Sequence, residues 1–270
     1  MANNWDFGPG HTNNGSVGVG GSINGVTQSI YSESSTQLAP LGTKLEFDDG
    51  RLFRYTKSGA AIAIGLACAN DYSDGLLAET DNFTVSATAG DREFSMTGGG
   101  SEFSTTAEFY AGSYIVFTDG TGAGAYYRIK DHTTASSDKI TFSLYDKLVT
   151  APAASTDIII IGNPYGNTLT ADGSSIAVDS DSFAIGVSPI AVTSGYYFWM
   201  QTRGVCSVKA DYGTTAASSV LMGMEMVVST SHDGQVEVKL DAHDGRQTIG
   251  NNLSPSGDDN TFIPMFLTCE

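Results

Sequence analysis

Apolar residues in this chain recur at every second position. From Ser218 to Thr230 the residues read Ser-Ser-Val-Leu-Met-Gly-Met-Glu-Met-Val-Val-Ser-Thr, so Val220, Met222, Met224, Met226 and Val228 share one parity while Gly223 and Glu225 take the other. Successive side chains of a strand point to opposite faces, so this spacing lines one face with apolar groups, whereas a helical period would scatter them. The pattern predicts a strand over 220–228. Its methionines either fill a core or present a soft, adaptable interface.

Other segments repeat the signal. Leu41 to Tyr55 reads as two short strands joined at Asp49-Gly50, a pair that readily takes the positive φ of a tight turn. The small apolar run from Ser58 to Ala67 is a helical turn or a buried strand, and so short a run does not decide between them. Residues 81–165 carry their own strands, in Thr84 to Ala89, Tyr114 to Thr118, Ala125 to Lys130, Ile140 to Tyr145 and Ile158 to Ile161. Short strands separated by turn signals predict a small barrel, and the unbroken apolar run Ile158 to Ile161 predicts a strand buried on both faces. Further on, Tyr196 to Ala210 reads as one hairpin turning near Arg203-Gly204, Gln235 to Leu240 as a strand, and Phe262 to Thr268 as a closing strand paired inside a sheet.

The expected fold is therefore all-β. A sandwich or barrel-like main domain is built from residues 31–80 and 166–270, a small barrel is inserted at 81–165, and residues 1–30 form an extended arm. That arm is rich in Gly and Asn and cannot bury enough surface to fold alone. It orders against a partner, with Trp5 and Phe7 as the aromatic contacts, or it folds back or stays free.

Composition supports sheets: 32 glycines serve turns, and only 16% of residues are charged. A net charge of −17 repels phosphate backbones and anionic lipid, so neither nucleic acid nor a membrane is an expected partner. The basic cluster Arg51, Arg54 and Lys57 reads as solvated or paired surface charge. The first residues show no basic and apolar leader, and no apolar run is long enough to span a bilayer, so synthesis in a cytoplasm is expected. Cys68, Cys206 and Cys269 are odd in number and far apart, as reduced packed thiols would be. Without secretion, the sequons at Asn14, Asn82 and Asn252 are chance.

Candidate chemistry is sparse. His11, His132, His232 and His243 sit in turn-like text without metal-ligand spacing and read as surface histidines. No Gly-x-Ser-x-Gly elbow occurs. Asp179 with Asp181 and Asp258 with Asp259 are the best calcium candidates, yet neither pair has the spaced acids and distant Glu of an EF-hand, and they read as solvated turn carboxylates. Gly18-x-Gly20 is followed by Ile23 where a dinucleotide loop needs its third glycine. Tyr196, Tyr197, Phe198 and Trp199 offer sugar-stacking platforms, but alternation buries at least one pair. No catalytic residue, cofactor or metal is expected.

Three stretches carry a resemblance: Leu41-Gly-Thr with Asp49-Gly-Arg-Leu-Phe-Arg-Tyr, Asp119-Gly-Thr-Gly-Ala-Gly-Ala-Tyr-Tyr-Arg-Ile, and Gly195-Tyr-Tyr-Phe-Trp-Met-Gln-Thr-Arg-Gly-Val with the closing Thr248-Ile-Gly-Asn-Asn-Leu. Together they resemble structural proteins of tailed bacteriophages, marine ones included, that decorate or cement the head. The resemblance runs from about residue 38 onward, and its motifs are turns and strands. It implies a non-enzymatic virion component on the capsid exterior, with the major capsid protein as partner and a homotrimer as assembly. A carbohydrate-binding or host-adhesion module of a fibre or tail is the alternative.

Overall fold

Sixteen strands and no helix form among the described residues. The computed structural model describes residues 28–70, 84–98, 103, 109–136, 138–172, 183–212, 221–240, 245–254 and 258–270; Trp5, Phe7, His11, Asp179, Asp181, Val220 and His243 lie outside them. The chain divides into two units, Met1–Asp71 with Tyr165–Glu270, and Tyr72–Pro164. Strands β1 (Lys44–Glu46), β2 (Leu52–Lys57) and β3 (Ala67–Asn70) open the larger unit. The smaller holds β4 (Thr84–Ala87), β5 (Glu93–Thr97), β6 (Tyr114–Phe117), β7 (Tyr126–His132), β8 (Lys139–Leu144) and β9 (Ile158–Ile161). The larger resumes with β10 (Thr168–Thr170), β11 (Ala184–Val187), β12 (Tyr197–Lys209), β13 (Glu225–Val228), β14 (Val236–Val238), β15 (Thr248–Asn252) and β16 (Phe262–Thr268).

In the smaller unit the strands pair in the order β4-β5-β8-β7-β6-β9, all antiparallel, and curl into a half-barrel. The backbone N–H of Val85 donates to the carbonyl of Ala154 at 3.1 Å, so one bond, not a ladder, links β4 to the segment before β9. Register explains the core. Phe94 lies opposite Phe142 and Met96 opposite Ile140, and these four pack with Ile115, Phe117, Ile129 and Ile160 at essentially zero exposure. Phe94 and Phe142 stack at 5.3 Å. Each such side chain removed from water contributes roughly 1.5–3 kcal/mol. Two expectations need correcting: β5 is a strand that the sequence reading passed over, and β9 is buried on one face only, since Ile158 and Ile160 enter the core while Ile159 and Ile161 on the opposite face are half-buried.

The larger unit carries one ten-stranded sheet running β10-β3-β11-β12-β16-β15-β13-β14, with β1 and β2 branching from β12. Backbone bonds from Gly234 to Ala171, Ala171 to Ala67 and Ala67 to Gly234 tie the turn before β14 to β3 and β10, so the sheet wraps around its core. That core gathers Val187, Val208, Met226, Val236, Ile249, Met265 and Leu267.

Tyr196 to Ala210 does not form a hairpin. β12 is a single strand of 13 residues whose first half pairs with β2 and whose second half pairs with β16. Between Gln201 and Arg203 the register shifts, and Arg203 faces both Leu52 of β2 and Thr268 of β16. A bulge of this kind bends a strand and adds twist. The first half is buried on both sides, with Trp199 in one cluster beside Tyr55 and Phe53, and Phe198 and Met200 in another beside Ile62 and Cys68. Beyond the bulge Arg203, Val205 and Ser207 are exposed while Cys206 and Val208 are buried. Gly204 has φ +89°, and a Cβ there would lie 2.9 Å from the Arg51 Cα, so the β1–β2 turn approaches β12 at its bend.

The expected strand over 220–228 is shorter than its spacing implied. Leu221 to Met224 form a turn with Gly223 at φ +85°, and Met222 is exposed. Only from Glu225 does the chain pair, burying Met226, Val227 and Val228. The Asp49-Gly50 hairpin forms as expected, with Phe47 N–H bonded to the Arg51 carbonyl at 2.9 Å and Gly50 at φ +85°. Ser58 to Leu66 is neither helix nor strand, and isolated bridges Ser58–Thr168 and Ile62–Val192 anchor it. Phe262 to Thr268 lies inside the sheet between β12 and β15.

Candidate binding surface

Alternation that fills a core leaves an opposite face, and in the smaller unit that face is aromatic. Cross-strand pairing puts Ile161 opposite Tyr114, Tyr114 opposite Arg128, and the Tyr145 N–H on the Arg128 carbonyl at 3.1 Å, which makes one row across the sheet. A second row runs Ile159, Val116 and Tyr126. Tyr126 is 70% exposed, Tyr145 46% and Tyr114 37%. The Arg128 guanidinium lies 5.1 Å from the Tyr145 ring centroid. Its Nε is covered and has no hydrogen-bond partner. Beside Tyr126 a recess of about 420 Å³ is lined by Gly122 to Tyr127, Val149 and Thr150.

The larger unit has its own apolar exposed face on β12 and β16. Val205 lies opposite Phe266, Ser207 opposite Pro264 and Lys209 opposite Phe262. Val205 and Phe262 are each 52% exposed. Scattered apolar surface residues are ordinary, but a register-matched set on one sheet face is the kind of patch that meets a partner.

Ionisable groups cluster at two places. Where β12 ends, the Asp211 carboxylate accepts from Ser229 Oγ and, at 3.0 Å, from His232 Nδ1. Burial works to raise Asp211, but the Ser229 and His232 hydrogen bonds and the His232 charge outweigh it and hold Asp211 below its usual range. The Asp211 hydrogen bond and charge raise His232, with Asp259 adding to the rise and Lys209 opposing it. Ser229 Oγ also accepts from the backbone N–H of Ser231 and His232, so it organises a turn; serine and imidazole both address the carboxylate, which is not a nucleophile–base arrangement.

The signs of these shifts set a pH window. His232, raised above about 6.5, contributes stability that is present below that value and lost as pH rises through its folded pKa, while Asp211, lowered, contributes above about 4 and loses its share as pH falls through its own folded pKa. The Tm difference between the wild type and His232→Gln is therefore expected to be larger near pH ~5.5 than near pH ~8.5. A difference constant across that range would remove the pair from the pH dependence.

At the chain's end Glu270 accepts from Arg54 Nε at 3.0 Å and Thr202 Oγ1 at 2.9 Å, and it pairs with Arg54 Nη2. Burial works to raise Glu270, but these hydrogen bonds prevail and lower it. Within the basic cluster Arg51 pairs with Asp49 at 2.7 Å and Lys57 lies 5.8 Å from the Tyr197 ring centroid. The charges are thus paired or stacked and do not form a phosphate site. Cys68, Cys206 and Cys269 are free thiols, each pushed up to about 12 by burial.

The other sequence candidates fall as follows. His132 is not a surface turn residue: it is buried in β7, where Nε2 accepts from the Tyr110 N–H at 3.1 Å and Nδ1 therefore donates to the Thr133 carbonyl at 2.8 Å. Phe198 and Trp199, one from each alternating pair, are both buried, so neither pair within Tyr196 to Trp199 stands free as a sugar-stacking platform. Asp258 and Asp259 are exposed in the turn before β16, and among the described residues no group of three or more His, Cys, Asp and Glu is placed to hold a metal ion. Trp5, Phe7, Asp179 and Asp181 lie outside the described residues. The tyrosine–arginine face escaped the sequence reading although its signal was in the strands: Tyr114 and Val116, like Tyr126 and Arg128, hold the parity opposite the core residues. No family model matches the chain, and no curated protein or solved structure does either.

Proposed function

We propose that this chain is a non-enzymatic structural component of a phage virion that binds the assembled capsid exterior, with the major capsid protein as partner and a homotrimer as its assembly. The observation that supports it most is the β12–β16 face, where Val205, Phe262, Pro264 and Phe266 stand exposed on the best-paired strands of the larger unit. A protein added to a finished shell needs a rigid platform, and a central sheet provides one. The chain's charge of −17 keeps such a protein soluble at high local concentration and away from packaged nucleic acid. Many modest contacts repeated over a lattice stabilise a particle without tight binding at any one of them.

Cosedimentation with assembled shells of a tailed-phage major capsid protein tests the reading. The wild type is expected to pellet saturably, and Val205→Lys with Phe266→Lys to weaken binding by about tenfold or more. Absence of saturable pelleting contradicts the proposal. In the same assay, removal of residues 1–27 tests the arm while leaving the packed Gln28 and Ile30 in place, and undiminished binding would exclude Trp5 and Phe7 from the contact.

A further inference from the structure

We propose that the tyrosine–arginine face of β9, β6 and β7 is a binding site for an acidic pyranose, a uronic acid unit of an anionic polysaccharide. The inference stands independently of capsid binding, since it concerns the smaller unit alone. Arg128 is its centre. In a chain with 30 acidic and 13 basic side chains, Arg51, Arg54 and Arg246 each pair with a carboxylate. Among the described residues no carboxylate and no hydrogen-bond acceptor reaches the Arg128 guanidinium. Its Nε is covered and has no hydrogen-bond partner, and the residue as a whole is half-buried. A guanidinium held beside a ring, with its Nε–H desolvated and unpaired and no carboxylate against it, is poised for a bidentate carboxylate.

The neighbours select the rest of the ligand. Tyr145 holds the guanidinium from one side. Tyr114, directly across the sheet, and Tyr126, two positions back on the same strand face, are exposed rings with an apolar body and a polar tip. A pyranose has an apolar C–H face to lie on such a ring and a ring of hydroxyls to meet the phenol groups. The open recess beside Tyr126, lined by Gly122 to Tyr127, Val149 and Thr150, offers further contact surface next to that ring. An acidic peptide satisfies Arg128 equally well but makes no comparable use of the tyrosine faces. The chain's overall negative charge repels polyanions at a distance, so recognition here depends on local contacts.

Calorimetric titration of the full chain with oligogalacturonate tests the site, with a neutral galactose oligomer and oligoglutamate as comparison ligands. Saturable binding to oligogalacturonate is expected, with the neutral oligomer and oligoglutamate each weaker by about tenfold or more. Arg128→Gln should weaken binding by about tenfold or more, and Arg128→Lys also weakens it, because an ammonium lacks the planar fork. Tyr126→Ala, at a 70% exposed position, should weaken binding without changing the melting temperature, which keeps the test open if Arg128→Gln unfolds. Three results overturn the proposal: no saturable binding, binding indifferent to both Arg128→Lys and Tyr126→Ala, or oligoglutamate binding as tightly as the sugar. None of them bears on cosedimentation with shells.

Discussion

Gly204→Ala is expected to destabilise the larger unit by roughly 3–5 kcal/mol, because two penalties meet at one atom. The residue sits at φ +89°, which costs any side chain, and the added Cβ would lie 2.9 Å from the Arg51 Cα and 3.0 Å from the Gly50 carbonyl oxygen. Those are backbone atoms of the β1–β2 turn, which cannot rotate aside as a flexible side chain would. The bend of β12 brings them close, since Arg203 faces the start of β2 and the end of β16 together. Gly50→Ala supplies the control: its φ is +85° but nothing lies within 4 Å of the new Cβ, so only the conformational cost applies, about 1 kcal/mol. Urea unfolding of both variants at unchanged m separates the two contributions. Equal losses for the pair would mean that the close approach at the bend does not exist.

Trp199→Ala is expected to cost about 3–5 kcal/mol, at the upper end for a buried aromatic. The indole is 1% exposed, meets Tyr55 edge-on with centroids 5.0 Å apart, and donates Nε1–H to the Gln28 carbonyl at 3.1 Å. Gln28 in turn donates to the Tyr197 carbonyl at 2.8 Å and accepts from Tyr55 Oη at 2.8 Å. Removing the indole therefore opens a cavity and also frees the segment that carries Gln28 and Ile30 over β2 and β12. Trp199→Phe keeps most of the volume and loses the hydrogen bond, so its cost should be smaller. It also leaves Trp5 as the single indole of the chain, a reporter for the segment before Gln28. Denaturation followed by far-UV circular dichroism ranks the variants. A loss under about 1 kcal/mol for Trp199→Ala would place that indole outside a packed core.

How far the sequence reveals this fold depends on how completely each element is specified locally. The Asp49-Gly50 hairpin was legible because turn chemistry and alternation agree over a few residues. β7, β8 and β16 were legible because one face is buried and the other is not, so parity survives in the text. The first half of β12 defeats parity, because Phe198, Trp199 and Met200 are buried on both faces and Gly204 reads as a turn when it marks a bend. The methionine strand fails the opposite way. Met222 and Met224 hold the correct parity, yet Gly223 at positive φ makes a turn there, a tertiary choice that spacing does not record. β5 was missed because Glu93 and Ser95 alternate with just two apolar residues, Phe94 and Met96.

The candidate surfaces were less legible than the fold. Val205 and Phe266 become neighbours through pairing between strands some sixty residues apart, and no local pattern announces that. Arg128 gains its meaning from what does not reach it, which only three-dimensional placement can reveal. Trp199, the aromatic residue that a reader of sequence first assigns to ligand contact, holds the core together instead.

A reconstruction of head particles with and without this chain, at chain-tracing resolution, would show where the protein sits. Added density on the capsid exterior that fits the larger unit is expected, with the β12–β16 face carrying Val205 and Phe266 against capsid protein. Particles with identical exteriors in the two preparations, or density for this chain in a tail fibre, would contradict it.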